Sequence, residues 1–213
     1  MTRHLHKIYQ HLLDAYGLRN KWFGETADEI IIGAILTQNT NWLNVEKALA
    51  NLRAENLLSL SLISKMEPSR LATYIRPAGY HNQKAITLIS VATSLTTDIL
   101  PSEPTEFRKY LLALKGIGPE TADCILLYAH QIPIFVIDAY TIRVFSRLGL
   151  CLETIKYHAL QAWFMQYLAP DSRLYNEYHA LIIKHAKEHC TKQPKRANCP
   201  LFDLCNYAIN HVE

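Results

Sequence analysis

The stretch Leu114-Lys115-Gly116-Ile117-Gly118-Pro119-Glu120-Thr121-Ala122-Asp123 sets two glycines one residue apart in the middle of a 213-residue chain. Glycines so spaced let a backbone turn tightly and approach a phosphate. A dinucleotide fingerprint or a P-loop needs a strand before the glycines, and a P-loop also needs Gly-Lys-Ser/Thr at its end. This sequence has neither. Upstream, Phe107, Tyr110, Leu111 and Leu114 make a helical face, and Pro119 suits the first turn of a following helix. The glycines therefore join two helices. Read from the residues alone, such a turn either aims backbone N–H groups at one phosphate of a DNA strand or is an ordinary helix-helix connection.

Working outward, the rest of the chain is helical in pattern, and the fold class is all-α. Leu5, Ile8, Tyr9, Leu12, Leu13 and Tyr16 keep a three-four spacing, and Thr26 with Glu29 forms a capping box before an isoleucine-rich run. Further helices are predicted over about 57–65, 68–75, 82–95, 105–114, 119–130, 138–148, 153–167 and 174–189. The one extended run is 132–138, too short for a buried helix and interrupted by Pro133.

Composition narrows the partners. At 49% hydrophobic the chain can fill a core, and a net charge of +3 permits a nucleic-acid partner without requiring one. No apolar run approaches a bilayer span, and the polar start MTRHLHKIYQ has no signal-peptide core, so no membrane partner and a cytoplasmic location are expected. Five cysteines, an odd number, argue for reduced thiols. Three of them, Cys190, Cys199 and Cys205, crowd the end of the chain.

After the second helix of the hairpin comes VIDAYTIRVFSRLG, residues 136–149, with Asp138 between the extended run and a helix. Taken alone, Asp138 is also a good helix cap. The pair LKGIGPETAD and VIDAYTIRVFSRLG resembles the helix-hairpin-helix and Gly/Pro-rich loop plus Asp motif of the endonuclease III superfamily of DNA glycosylases. ILTQNT (35–40) and IRPAGYHNQKA (75–85) are similar to that family's helix-start and DNA-wedge segments. The likeness runs from about residue 20 to 205 and is closest to the bacterial 3-methyladenine glycosylase branch.

The resemblance implies a two-lobed fold, with 20–130 a middle lobe holding the hairpin at 105–130 and with 1–19 plus 131–213 a second lobe. It implies that Asp138 stabilises the sugar cation formed when a base leaves, and that the protein is a monomer acting on damaged duplex DNA in a bacterial cytosol or nucleoid. Bifunctional members carry an attacking lysine two residues past the second glycine; here that position is Glu120, which cannot form an imine. Monofunctional excision of an alkylated purine such as 3-methyladenine is the expectation. The alternatives are a bifunctional glycosylase and AP lyase on oxidised pyrimidines, or a damage-binding module without catalysis.

By the same resemblance, Gly116 and Gly118 hold DNA backbone, Gln38 fills the hole left by a flipped base, and Tyr80 or His81 wedges the opposite strand. Lys84, Arg143 and Arg147 are phosphate candidates. Trp22, Phe23 and Trp42 are candidates for the base pocket, where aromatic faces attract a cationic base, although aromatics at the edge of an apolar helix also serve as core packing. The family's iron-sulfur loop follows Cys-x6-Cys-x2-Cys-x5-Cys. This chain has Cys190-x8-Cys199-x5-Cys205, with Ala197 near the place of the missing thiol. A [4Fe-4S] cluster on three of four cysteines, a [3Fe-4S] form, zinc held with a histidine such as His189, and loss of the metal all stay open.

Overall fold

In a computed structural model the described residues are 1–18 and 24–210; Trp22 and Phe23 lie outside them. Among the described residues twelve α-helices form and no strand does. This is the all-α class that the sequence predicts, and no helix is long and apolar enough to cross a membrane. The chain divides into two compact units, Phe23–Ile132 and Met1–Trp22 with Pro133–Glu213.

The first of these units is built around α2 (Ala27–Leu36), whose Ile31, Ile32, Ile35 and Leu36 are buried. Around it stand α3 (Trp42–Ala54), α4 (Leu60–Ile63), α5 (Pro68–Tyr74), α6 (His81–Thr97), α7 (Pro104–Ala113) and α8 (Pro119–Cys124). Each fully buried aliphatic side chain here contributes about 1.5–3 kcal/mol. At the start of α2 the Thr26 side chain accepts from the Glu29 amide at 3.2 Å, and the Glu29 carboxylate accepts from the Glu25 amide at 3.1 Å. The reciprocal cap is thus made one residue earlier than in the usual box. Glu29 also pairs with Arg53, tying α2 to α3.

The predicted helix over 119–130 changes register partway. After Cys124 the turns widen into a π-helix at Ile125–Ala129, closed by His130 N–H donating to the Ile125 carbonyl at 3.3 Å. The predicted helix over 153–167 starts only at Tyr157; before it the chain makes a turn in which the Ile155 amide donates to the Leu152 carbonyl at 3.0 Å.

The second unit packs α1 (Thr2–Tyr16) and α9 (Ala139–Arg147) against α11 (Ser172–Glu188), and its short α12 (Asn206–Asn210) lies on α9. Its core is aromatic: Phe135 stacks on Phe164 at 4.0 Å, and Tyr175 and Tyr178 meet Phe135 edge-on. Phe164 comes from α10 (Tyr157–Tyr167). The segment before α9 is extended without a strand partner, so other groups satisfy its backbone. Gln161 donates to the Phe135 carbonyl at 2.7 Å, and the Ile137 amide faces the Tyr157 hydroxyl at 3.4 Å.

Candidate active site and DNA-binding elements

Asp138 ends the extended segment and caps α9, with φ −127° and ψ 178°. Its Oδ1 accepts from the Thr141 amide at 2.7 Å and from the Thr141 hydroxyl at 2.8 Å. Its Oδ2 lies 3.6 Å from Nε2 of His179, which projects from the buried face of α11. Both side chains are buried. Burial by itself pushes the Asp138 carboxyl up, but His179 and the two Thr141 donors more than reverse this and hold it below the ordinary carboxylate range. A carboxylate that is buried yet anionic has been built here, with one oxygen locked and the other facing an imidazole.

His179 is a residue that the sequence reading did not single out. Its signal was present: in YNEYHALIIKHA, Tyr175, Tyr178, His179 and Ile182 share one helical face, and a histidine in an otherwise apolar stripe needs a partner.

In the other unit, the hairpin turn runs from α7 through Leu114–Gly118 into α8. Gly116 has φ +90°, and a Cβ there would stand 2.8 Å from the Thr87 side chain. Both the left-handed backbone and the close approach therefore require glycine. Gly118 differs: its φ is −94° and a Cβ would meet nothing within 4 Å. The fold leaves open space before Gly118. Behind the turn the buried carboxylate of Asp123 receives a two-point bond from Arg108, at 2.6 and 2.9 Å, which clamps α7 to α8. Glu120 is exposed in the first turn of α8.

Gln38, just past α2, donates through Nε2 to the Gly116 carbonyl and the Thr121 hydroxyl, both at 3.0 Å. The next residue, Asn39, has φ 53°. Tyr80 is 73% exposed and sits in the left-handed region at φ 46°, immediately after Gly79 at φ 69°. A bulky residue in that conformation is held against its own preference. His81 follows as the first residue of α6 and is half-buried. Trp42 begins α3, half-buried, and its indole donates to Glu46 at 2.8 Å.

Two residues expected at phosphates, Lys84 and Arg143, make polar contacts within the protein. Lys84 is buried, and its ammonium donates to the carbonyls of Leu36 and Ala78, both at 2.8 Å, pinning the end of α2 to the loop before α6. Desolvation lowers its pKa. Arg143 donates to the Cys190 carbonyl at 2.7 Å and the Ala186 carbonyl at 3.2 Å, and lies over the Tyr140 ring. Arg147, the third candidate, likewise points into its own unit, at residues 190–192.

The cysteine loop carries three of the four thiols in the pattern that the resemblance implied. Cys190, Cys199 and Cys205 line a cavity of about 30 Å³ together with His185 and His189. Among the described residues no three Cys, His, Asp or Glu side chains are grouped to hold a metal ion. All five cysteines are free. Burial pushes the Cys199 thiol up and the half-buried Cys151 thiol up to about 11.

Comparison with known proteins follows the same lines. The sequence profile of the HhH-GPD superfamily of base excision DNA repair proteins matches residues 32–170. A Methanocaldococcus jannaschii protein that bears the name of a DNA repair glycosylase is 44% identical over 209 residues, covering 94% of this chain and 95% of its own. Endonuclease III of Escherichia coli is 27% identical over 84% of this chain and 83% of its own. Among solved structures, a Helicobacter pylori 3-methyladenine DNA glycosylase bound to 1,N6-ethenoadenine is similar at 30% identity and TM-score 0.76, over 86% of this chain and 97% of that one. A non-covalent endonuclease III–DNA complex shares the fold at TM-score 0.84 and 20% identity, over 99% of this chain and 97% of that one.

Proposed function

The chain belongs to the HhH-GPD superfamily of base excision DNA repair proteins, and from that premise we propose that it is a monofunctional DNA N-glycosylase that removes an alkylated purine such as 3-methyladenine. The observation that carries this reading is the buried, anionic Asp138. When the N-glycosidic bond breaks, its electron pair leaves with the base and C1′ of the deoxyribose becomes cationic. Asp138 stabilises that cation. Water then adds its oxygen to C1′ and loses a proton, leaving the free base and an intact abasic site. His179 and Thr141 keep the carboxylate charged and fixed throughout, so it does not have to reorganise as the charge develops.

Glu120 supports the monofunctional half of the proposal. An amine at this position would attack C1′, form an imine and open the way to strand cleavage. A carboxylate does not. The substrate class rests on charge: an alkylated purine is cationic, its glycosidic bond is weak, and an aromatic face such as that of Trp42 attracts it by about 1–2 kcal/mol. Trp22 and Phe23 are assigned to the same pocket from the sequence. The similar Helicobacter pylori enzyme acts on 3-methyladenine and was seen with a modified adenine.

On the DNA side, Gly116 and Gly118 take one phosphate, Tyr80 wedges the stack, and Gln38 enters the gap after releasing its bonds to the hairpin. Exposure of Tyr80 and the open space before Gly118 support these roles. The test is base release from duplexes carrying 3-methyladenine, thymine glycol or an A·G mispair, for the protein and Asp138→Asn. Release of 3-methyladenine with strand breaks appearing only after alkali, and lost in the variant, is the expected result. Breaks without alkali, or release of thymine glycol alone, would overturn the proposal.

A further inference from the structure

In the loop after α11 the family pattern calls for four thiolates and this chain supplies three. We infer that Arg147, not a metal centre, closes this loop, and that Cys190, Cys199 and Cys205 are ordinary thiols. A cluster on such a loop acts as a cross-link between its first cysteine and its last. Arg147 joins the two ends of the loop with protein atoms. Its Nη1 donates to the Thr191 carbonyl at 2.6 Å and reaches the Cys190 sulfur at 3.3 Å; its Nη2 donates to the Lys192 carbonyl at 3.0 Å. At the far end, its guanidinium lies 5.1 Å over the Tyr207 ring, and its own carbonyl faces the Cys205 thiol at 3.5 Å. One residue of α9 therefore holds residues 190–192 and 205–207 together.

The rest of the loop is satisfied in the same way. Arg143 binds the Cys190 and Ala186 carbonyls, the Lys195 amide donates to the His189 carbonyl at 2.8 Å, and His11 of α1 meets the Pro200 carbonyl at 3.1 Å. Short turns, Cys199 to Arg196 and Phe202 to Cys199, occupy the backbone next to the second thiol. The cavity that the three cysteines help to line, about 30 Å³, has room for one or two waters. Its wall is apolar, with Val144, Leu148 and Leu201 facing in.

The experiment starts with protein made in iron-replete cells and purified without oxygen, assayed for iron, acid-labile sulfide and zinc per chain. No stoichiometric metal is expected, and a chelator leaves Tm unchanged. The double variant Cys199→Ser/Cys205→Ser, which removes two of three thiols, should stay within about 3 °C of the parent Tm. Arg147→Met should fall by roughly 4–10 °C, from the loss of two or three hydrogen bonds, with Arg147→Lys between. Stoichiometric iron with sulfide, or zinc, that disappears in the cysteine double variant would overturn the inference, as would an Arg147→Met protein of unchanged Tm. Should Arg147→Met fail to fold, the metal content of the parent and the Tm of the cysteine variant decide the matter by themselves.

Discussion

Replacing His179 with leucine removes the buried partner that faces Asp138 Oδ2 at 3.6 Å and leaves the two Thr141 bonds to Oδ1 in place. Burial, the largest influence on this carboxyl, then acts against ionisation with only Thr141 opposing it, so its pKa rises. An interaction with a charged group is worth about 1.5–3 kcal/mol, which corresponds to about a 10- to 150-fold loss in the rate of base release. The sign with pH follows from the depressed pKa of the parent. Asp138 is anionic above the ordinary carboxylate range, and its contribution is lost as pH falls through its native value. In the variant that loss sets in at higher pH. Single-turnover release of 3-methyladenine across a pH series reads both effects, with His179→Gln, which keeps an N–H donor, recovering part of the rate. A folded His179→Leu protein with the parent's rate and an unmoved acid limb would refute the reasoning.

Other perturbations separate fold from function. Gly116→Ala forces an alanine into a left-handed turn and against Thr87, for a loss of about 1–2 kcal/mol from the backbone alone, measurable by urea denaturation. Gly118→Ala, with open space around it, should keep its stability and weaken binding to duplex DNA, measured by anisotropy. Lys84→Met strands the Leu36 and Ala78 carbonyls and should cost about 2–5 kcal/mol, while the salt dependence of DNA binding stays as in the parent. Tyr80→Ala should leave Tm unchanged, because the ring is exposed, yet slow base release from duplex.

What the sequence disclosed follows from the range of each signal. Helical faces repeat every few residues, so the helices are legible, as is the extended run before Asp138. Helix identity does not reveal register, which is why the widening at Ile125–Ala129 is invisible in ILLYA, a string that suits either turn. Lys84 and Arg143 are read from the sequence as surface groups free to meet a phosphate, because most charged side chains lie at the surface. Both break that rule, since each is aimed at carbonyls at helix ends brought near by packing, 48 and 47 residues away in the chain. Separation in sequence also hid the clamp of Arg108 on Asp123, 15 residues apart, and the placing of His179 opposite Asp138. Local motifs name the reacting group; its supporting shell is assembled from elsewhere.

The half-buried Cys151 thiol, with its pKa pushed up to about 11, is poorly suited to react with electrophiles such as alkylating agents. Such agents consume thiolates, and a thiol of this kind is ionised to roughly one part in 10⁴ at neutral pH. Burial likewise holds Cys199 back from ionising. These two sulfurs are thus kept in their least reactive form, which makes them poor targets for electrophiles.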